Sequence, residues 1–275
     1  MTEAVQNPSA AAFTPLVDAH VHVFRRDMPL IPNPRHAPDY EFTAEQLDAT
    51  LAGHGVRHAV IAAASPWGDC NDYIMQTLRA RPHWRGTAIL DPSTDRYVLE
   101  QMARDGFVGV RLPFISMSTL PDLGSWDWRK FLYRLKDMGW HVHLHLDGPR
   151  LPQVLPALEA SGVTVVLDHI GRPDPQGGTT SEGFRAMVRA VQNGRTWVKL
   201  SGAYRLGAQA TGQARVLCQE VGIERMVWAS DCPFVGAEST PYQSTIDWLA
   251  GVVPDLAMRQ RIAGANAFEL YFARR

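Results

Sequence analysis

Two hydrophobic rhythms alternate along the chain. Short runs with period two, or with continuous β-branched character, read as strands. They cover 16–24 (LVDAHVHVF), 57–65, 86–90, 107–114, 140–146 (WHVHLHL), 164–170, 196–202 and 226–233. Between them lie stretches with apolar residues at i, i+3 and i+4, the spacing of a helix with one buried face. These helical stretches are 43–55, 93–106, 126–139, 148–162, 181–194 and 211–222, and two more, 242–253 and 255–272, close the chain. Thr43 suits an N-cap, and glycine follows most of the helical stretches.

Strand followed by helix, repeated with no linker, low-complexity tract or charge run, predicts a parallel sheet. Eight such units predict a closed (β/α)8 TIM barrel of the α/β class, spanning residues 1–275 as one domain with 1–15 as a polar arm. An open doubly wound sheet is the alternative. It usually carries a glycine-rich turn after its first strand, and DAHVHVFRRDMP has none. The first strand-to-helix connection, 25–42, has four prolines and no periodicity. In a barrel it would cross the mouth, and loops of that length tend to be functional.

Composition narrows the function. Lys and Arg total 27 against 28 Asp and Glu, a net charge of −1, so nothing in the charge argues for a nucleic-acid or membrane-surface partner. Three cysteines without a CxxC pair argue against a disulfide framework or a thiolate zinc site. The N-terminus lacks the pattern of a signal peptide, and no apolar run reaches the ~20 residues needed to span a bilayer. The expectation is a cytoplasmic protein; the pattern leaves its oligomeric state open.

In a barrel, chemistry sits where strands end. That filter selects His20 and His22 in strand 1, Arg111 in strand 4, and His141, His143 and His145 on one face of strand 5. It adds Asp168 and His169 in strand 6 and Asp231 in strand 8. Arg172 and Arg205 follow strands 6 and 7. Period two places Asp18 on the face of His20 and His22, as a partner behind a histidine. Barrel interiors are usually filled by Val, Ile and Leu. Burying imidazoles and carboxylates costs several kcal/mol unless they meet one another or a metal. Such ligands suit zinc or manganese.

Arginine pairs carboxylate bidentately, so Arg111, Arg172 and Arg205 around one mouth favour a small anionic substrate. Ser65, after strand 2, is placed to hydrogen-bond it, and neighbouring Trp67 lines the pocket or caps the barrel. His141 lies deeper and reads as structural; His143 stays open between the two roles. His36, His54, His58 and His83 read as surface. Cys232 adjoins Asp231 but faces the other way.

HxH on strand 1, DHIGRP after strand 6 and SDCP after strand 8, in this order, resemble the amidohydrolase superfamily, from residue 16 to near the chain end. Within it they are similar to a branch of lactonases that open 2-pyrone-4,6-dicarboxylate. The resemblance implies Asp231 as the base that activates water, with His20, His22 and His169 polarising the lactone carbonyl. It implies Arg111, Arg172 and Arg205 on substrate carboxylates and Tyr40 as a lid residue. It also implies a metal-free site with tyrosine where this chain has His145. Metal-binding superfamily members commonly draw a histidine from that strand. The expectation is therefore either no cofactor or one divalent ion, zinc or manganese, on His20, His22, His145 and Asp231. His145 is otherwise a substrate contact. Phe234 stands where the branch often has histidine. The functional expectation is a hydrolase opening a small carboxylated lactone. The alternative is a metal-dependent decarboxylase or hydratase acting on a carboxylate from aromatic breakdown. A barrel that only binds such a ligand is a third.

Overall fold

A computed structural model describes residues 13–273. Eight parallel strands follow one another in chain order: β1 (Val17–Val21), β2 (His58–Ala62), β3 (Arg85–Ala88), β4 (Phe107–Leu112), β5 (His141–Leu144), β6 (Thr164–Leu167), β7 (Thr196–Leu200) and β8 (Met226–Trp228). The last strand returns to the first. Val21 bridges to Cys232, the His22 N–H donates to the Cys232 carbonyl at 2.8 Å, and the Asp231 N–H donates to the His20 carbonyl at 3.0 Å. The sheet is therefore a barrel and not an open sheet.

The principal helices of the outer ring are α1 (Ala44–Gly53), α2 (Asp72–Ala80), α3 (Arg96–Arg104), α4 (Trp126–Asp137), α5 (Leu151–Ser161), α6 (Glu182–Gln192), α7 (Ala203–Leu206), α8 (Ala210–Val221), α9 (Tyr242–Val252), α10 (Leu256–Gln260) and α11 (Asn266–Tyr271). Thr43 caps α1 in a capping box with Gln46, as its position in the pattern predicts. α2 escaped the periodicity reading. Only Ile74, Thr77 and Leu78 of it are buried, too short a stripe to register. The long final stretch divides into α10 and α11 at a π turn over Arg261–Ala265.

The helices and the outward strand faces share the larger core. A separate cluster fills the barrel's lower interior: Val17, Ala19, Val60, Val166, Val227 and Trp197, sealed by Leu270 and Tyr271 of α11. Each valine and leucine of the cluster contributes about 1.5–3 kcal/mol by leaving water. This apolar plug leaves the upper interior for polar groups.

The first strand departs from strict alternation. Asp18 pairs with Ala59 and Val21 with Ile61, so three steps on β1 face two on β2. The bulge turns His20 inward although Ala19 already joins the inner cluster. Asp18 is thereby sent to the opposite side, correcting the expectation that it shares the histidine face. Its carboxylate accepts from Tyr242 Oη at 2.7 Å and from the Ser230 N–H at 2.9 Å. Burial pushes its pKa up to about 6. It holds the end of β8 from behind.

Segment 25–42 forms no helix. It is pinned by paired backbone hydrogen bonds between Phe24 and Phe42 and by the Ile31 N–H donating to the Pro66 carbonyl. Trp67 is buried beneath it, stacked on Phe24 with ring centroids 4.5 Å apart. Most of the expected N-terminal arm lies outside the described residues; Phe13 packs on the core with Arg259 over its ring. No helix among the described residues is long and apolar enough to cross a membrane.

Candidate active site

The β8–β1 seam brings three ligand-type atoms together. His20 Nε2 lies 3.2 Å from His22 Nε2, and Asp231 Oδ1 lies 3.3 Å from His22 Nε2 and 3.6 Å from His20 Nε2. His22 Nδ1 faces the Ala62 carbonyl at 2.7 Å. A carbonyl only accepts, so Nδ1 carries a proton and donates to it. His169 approaches from beyond β6, its Nε2 3.8 Å from Asp231 Oδ2 and its Nδ1 2.9 Å from Ser201 Oγ.

These groups sit just past the strands, where the backbone turns left-handed. φ is +53° at His169, +58° at Ile170, +45° at Arg172 and +72° at Asp231. Such conformations cost about 1–3 kcal/mol each and need support from their surroundings. They explain why the observed strands end before the expected ones. Gly202 meets a related demand: any Cβ there would lie 2.8 Å from His169 Nδ1.

Asp231 is held by donors on both oxygens. Oδ2 accepts from Tyr204 Oη at 2.5 Å and from Arg205 Nε at 2.9 Å. Burial alone would raise its pKa, but His169, the His22 hydrogen bond and Arg205 outweigh it and hold the carboxyl well below the usual range. Tyr204 was not foreseen. It belongs to α7, a single turn that α-helical periodicity cannot reveal.

A second cluster lies deeper. Asp168 is fully buried between Arg111 Nε and Lys199 Nζ, each at 3.0 Å. Burial opposes its charge; Lys199, His20 and Arg111 more than compensate and keep it ionised. Lys199 Nζ also lies 2.8 Å from His20 Nδ1 and 2.9 Å from His143 Nδ1. Burial pushes Lys199 down to about 8, against the pull of Asp168. Strand-end reasoning missed Lys199 because it sits inside β7. The signal was present: it shares a face with Trp197, and a lysine there points into the barrel. His143 thus joins the Lys199 network, while His141 packs lower, edge-on to Tyr271. Burial lowers His20, His143 and His145, and pushes His169 down to about 4, so all four are neutral at pH 7.

Arg111 also donates from Nη1 to the Ala63 carbonyl at 3.0 Å, and its Nη2 lies 3.2 Å from His145 Nδ1. Guanidinium cannot accept, so His145 Nδ1 accepts and its Nε2 carries the proton. His145 therefore stands apart from the triangle, as a donor beside the cleft and not a ligand beside His22. His20, His22 and Asp231 have the mutual spacing that one ion with ~2.0–2.1 Å bonds would impose, so this group could hold a metal.

Above lies a small cleft, about 50 Å³ in volume. His22, His169 and Asp231 form its floor, with Arg111, His145, Arg172 and Arg205 around the wall and Ser65 and Trp67 opposite. His20 does not reach it; it is wholly buried one layer down. Arg172 spends Nε on Asp147 at 3.0 Å, and Arg205 spends Nη2 on the Val235 carbonyl at 2.8 Å. Arg35 and His36, from the long first loop, also border the cleft. Arg35 was unforeseen, and His36 belongs here and not on open surface. Burial and the neighbouring Arg172 lower the pKa of Arg35, a mark of crowded positive charge. Tyr40 lies at the loop's edge, its hydroxyl donating to Glu238 at 3.1 Å.

A 2-pyrone-4,6-dicarboxylate hydrolase from Comamonas testosteroni is 27% identical, matching 97% of this chain and 94% of its own length. A 4-sulfomuconolactone hydrolase from Hydrogenophaga intermedia is 23% identical over 92% of this chain and 88% of its own. A crystal structure from Acinetobacter baumannii, a probable 2-pyrone-4,6-dicarboxylic acid hydrolase with citric acid bound, is 30% identical. It superposes with a TM-score of 0.89 over 93% of this chain and 98% of that one. The amidohydrolase family model matches residues 17–273, and the chain belongs to that family.

Proposed function

We propose that the protein hydrolyses a small lactone bearing carboxylate groups, of the 2-pyrone-4,6-dicarboxylate kind, with Asp231 as general base. The observation that carries this reading is the placement of one ionised carboxylate on the floor of a cleft walled by arginines. The named activities of the lactone hydrolases above point the same way.

The geometry supports a simple sequence. Arg172, Arg205 and Arg35, with the unspent N–H groups of Arg111, bind substrate carboxylates and orient the ring. Asp231 takes a proton from a water as its oxygen bonds to the lactone carbonyl carbon. The His145 Nε2–H on the wall and His169 on the floor are donors for the developing oxyanion. Collapse breaks the ring C–O bond, and the proton held by Asp231 passes to the departing oxygen. A low pKa suits this base: it stays ionised at neutral pH beside cationic groups, at some cost in basicity.

The triangle of His20, His22 and Asp231 favours one second reading, a metal-dependent decarboxylase or hydratase. A divalent ion held there would supply Lewis acidity and activate water. Turnover of a panel of carboxylated and neutral lactones, with and without chelator, separates the two. Chelator-resistant opening of carboxylated lactones supports the hydrolase. Chelator-sensitive carbon dioxide release or hydration, with no lactone opened, replaces it. The three cysteines are free thiols.

A further inference from the structure

α4 carries two large aromatic side chains that lie open to solvent. Trp126 is 73% exposed and Tyr133 is 64% exposed. They are seven residues apart, so they share one face of the helix. Tyr97, on neighbouring α3, is 67% exposed. These are the three exposed aromatics among the described residues, and all of them lie on two adjacent helices. Trp126 and Tyr133 border a surface groove of about 770 Å³ between α4 and α5. Its apolar lining comes from Leu123, Leu132, Ala157 and Ala160.

The rim of this groove is cationic. Arg96, Arg129, Lys130, Arg134 and Lys136 line it, and no carboxylate does. Two of the five are spent. Arg96 pairs with Glu100 at 2.8 Å and with Asp137 at 2.5 Å, and Arg134 Nη1 donates to the Thr94 carbonyl at 2.8 Å. Arg129, Lys130 and Lys136 form no ion pair among the described residues, and Lys136 Nζ lies only over the Tyr133 ring, 6.0 Å from its centroid. This local excess of positive charge stands out on a chain of net charge −1. Tryptophan, tyrosine and arginine around an apolar floor are the residues that anchor protein interfaces.

We propose that the α4–α5 groove docks an acidic amphipathic helix of a partner protein. The helix lays its apolar stripe over Trp126 and Tyr133 and sets its carboxylates on Arg129, Lys130 and Lys136. The 12 residues of α4 run for about 18 Å, enough for three turns of the partner. Charge decides between occupants. A second copy meeting this face with its own would oppose cation to cation. A second copy meeting it with a different face makes a contact that does not close. A nucleic acid asks for a row of phosphate contacts, and three free cations around an apolar floor do not supply one. No residue of the groove borders the cleft, so docking is independent of the chemistry there.

A fluorescein-labelled synthetic peptide of about four helical turns tests this, with leucine at i, i+3, i+4 and i+7 and glutamate elsewhere. Anisotropy with the intact native protein should give a Kd of roughly 10–100 µM. Raising salt from about 0.05 to about 0.3 M should weaken it about 3- to 10-fold. Trp126→Ala should weaken binding at least about tenfold, as loss of an aromatic anchor does. Arg129→Glu/Lys130→Glu should do the same. Both variants change exposed side chains and should keep the native thermal midpoint. Hydrogen exchange on the native complex should show new protection confined to α3, α4 and α5, a measurement that needs no variant. Absence of binding, binding that survives both variants, protection elsewhere, or equal binding of a lysine-for-glutamate peptide overturns the proposal. Tighter binding of oligo-dT at this face overturns it too, as does a dimer in sedimentation that Arg129→Glu/Lys130→Glu dissolves.

Discussion

Asp168 and Asp231 are both buried carboxylates among arginine, lysine and histidine, yet they occupy different worlds. Asp168 lies a layer below the cleft, between two fixed cations, with no path to substrate. Asp231 lies at the floor of the cleft, with Tyr204 and Arg205 on one oxygen and His22 on the other. Both are held in the charged form. Access separates them: the same chemistry supports the scaffold in one place and is offered to a reactant in the other.

Replacing each carboxylate by its amide should pull the two apart. Asp231→Asn is expected to lower kcat about 10³- to 10⁴-fold on a carboxylated lactone, in the range of general-base loss. Its thermal midpoint should stay within a few degrees of the native one. An unchanged rate would remove Asp231 as base. Asp168→Asn leaves Arg111 and Lys199 buried without their counter-ion. A loss of about 3–5 kcal/mol in urea unfolding is expected. Equal stability would show that the deep cluster is not scaffold.

The pH dependence of stability offers a third contrast, because Asp18 titrates in the opposite sense. Its folded pKa, raised to about 6, exceeds the ordinary 3.8, so its contribution is fully present below pH 4 and is lost as pH rises through 6. Asp168 and Asp231 have depressed values, so theirs is present above pH 4 and lost only in stronger acid. Asp18→Asn should flatten the decline between pH 4 and 6, a difference of about 3 kcal/mol. Unfolding curves across that window test it, and an unchanged slope would refute the assignment.

Smaller effects refine the cleft itself. Arg172→Met should raise KM for a carboxylated lactone about 10- to 100-fold, with little change for a neutral one. Equal effects on both would argue against an anion clamp. Tyr204→Phe removes one donor from Asp231 Oδ2 and should change kcat by less than about tenfold, shifting the acid limb of its pH profile upward. No shift would mean that Tyr204 serves packing only.

Much of this arrangement could be read from the chain. Alternation marked the strands, and the strand-end rule picked out His22, His169, Asp231, Arg172 and Arg205. What it missed has identifiable causes. The β1 bulge changes which face Asp18 takes, and nothing in the period-two pattern announces a bulge. Lys199 sits mid-strand, where a rule about strand ends does not look. Arg35 and Tyr204 come from segments too irregular or too short for periodicity. The tautomer of His145 depends on Arg111, a neighbour 34 residues away.

The hydrogen bonds that join β8 to β1 carry a consequence for how the molecule comes into being. The HxH pair lies on the first strand of the barrel and the carboxylate just past the eighth, and only closure of the ring joins them. A nascent or truncated chain ending before residue 231 lacks its reactive centre however well its other strands have paired. Activity is therefore a sensitive gauge of whether the whole ring has closed.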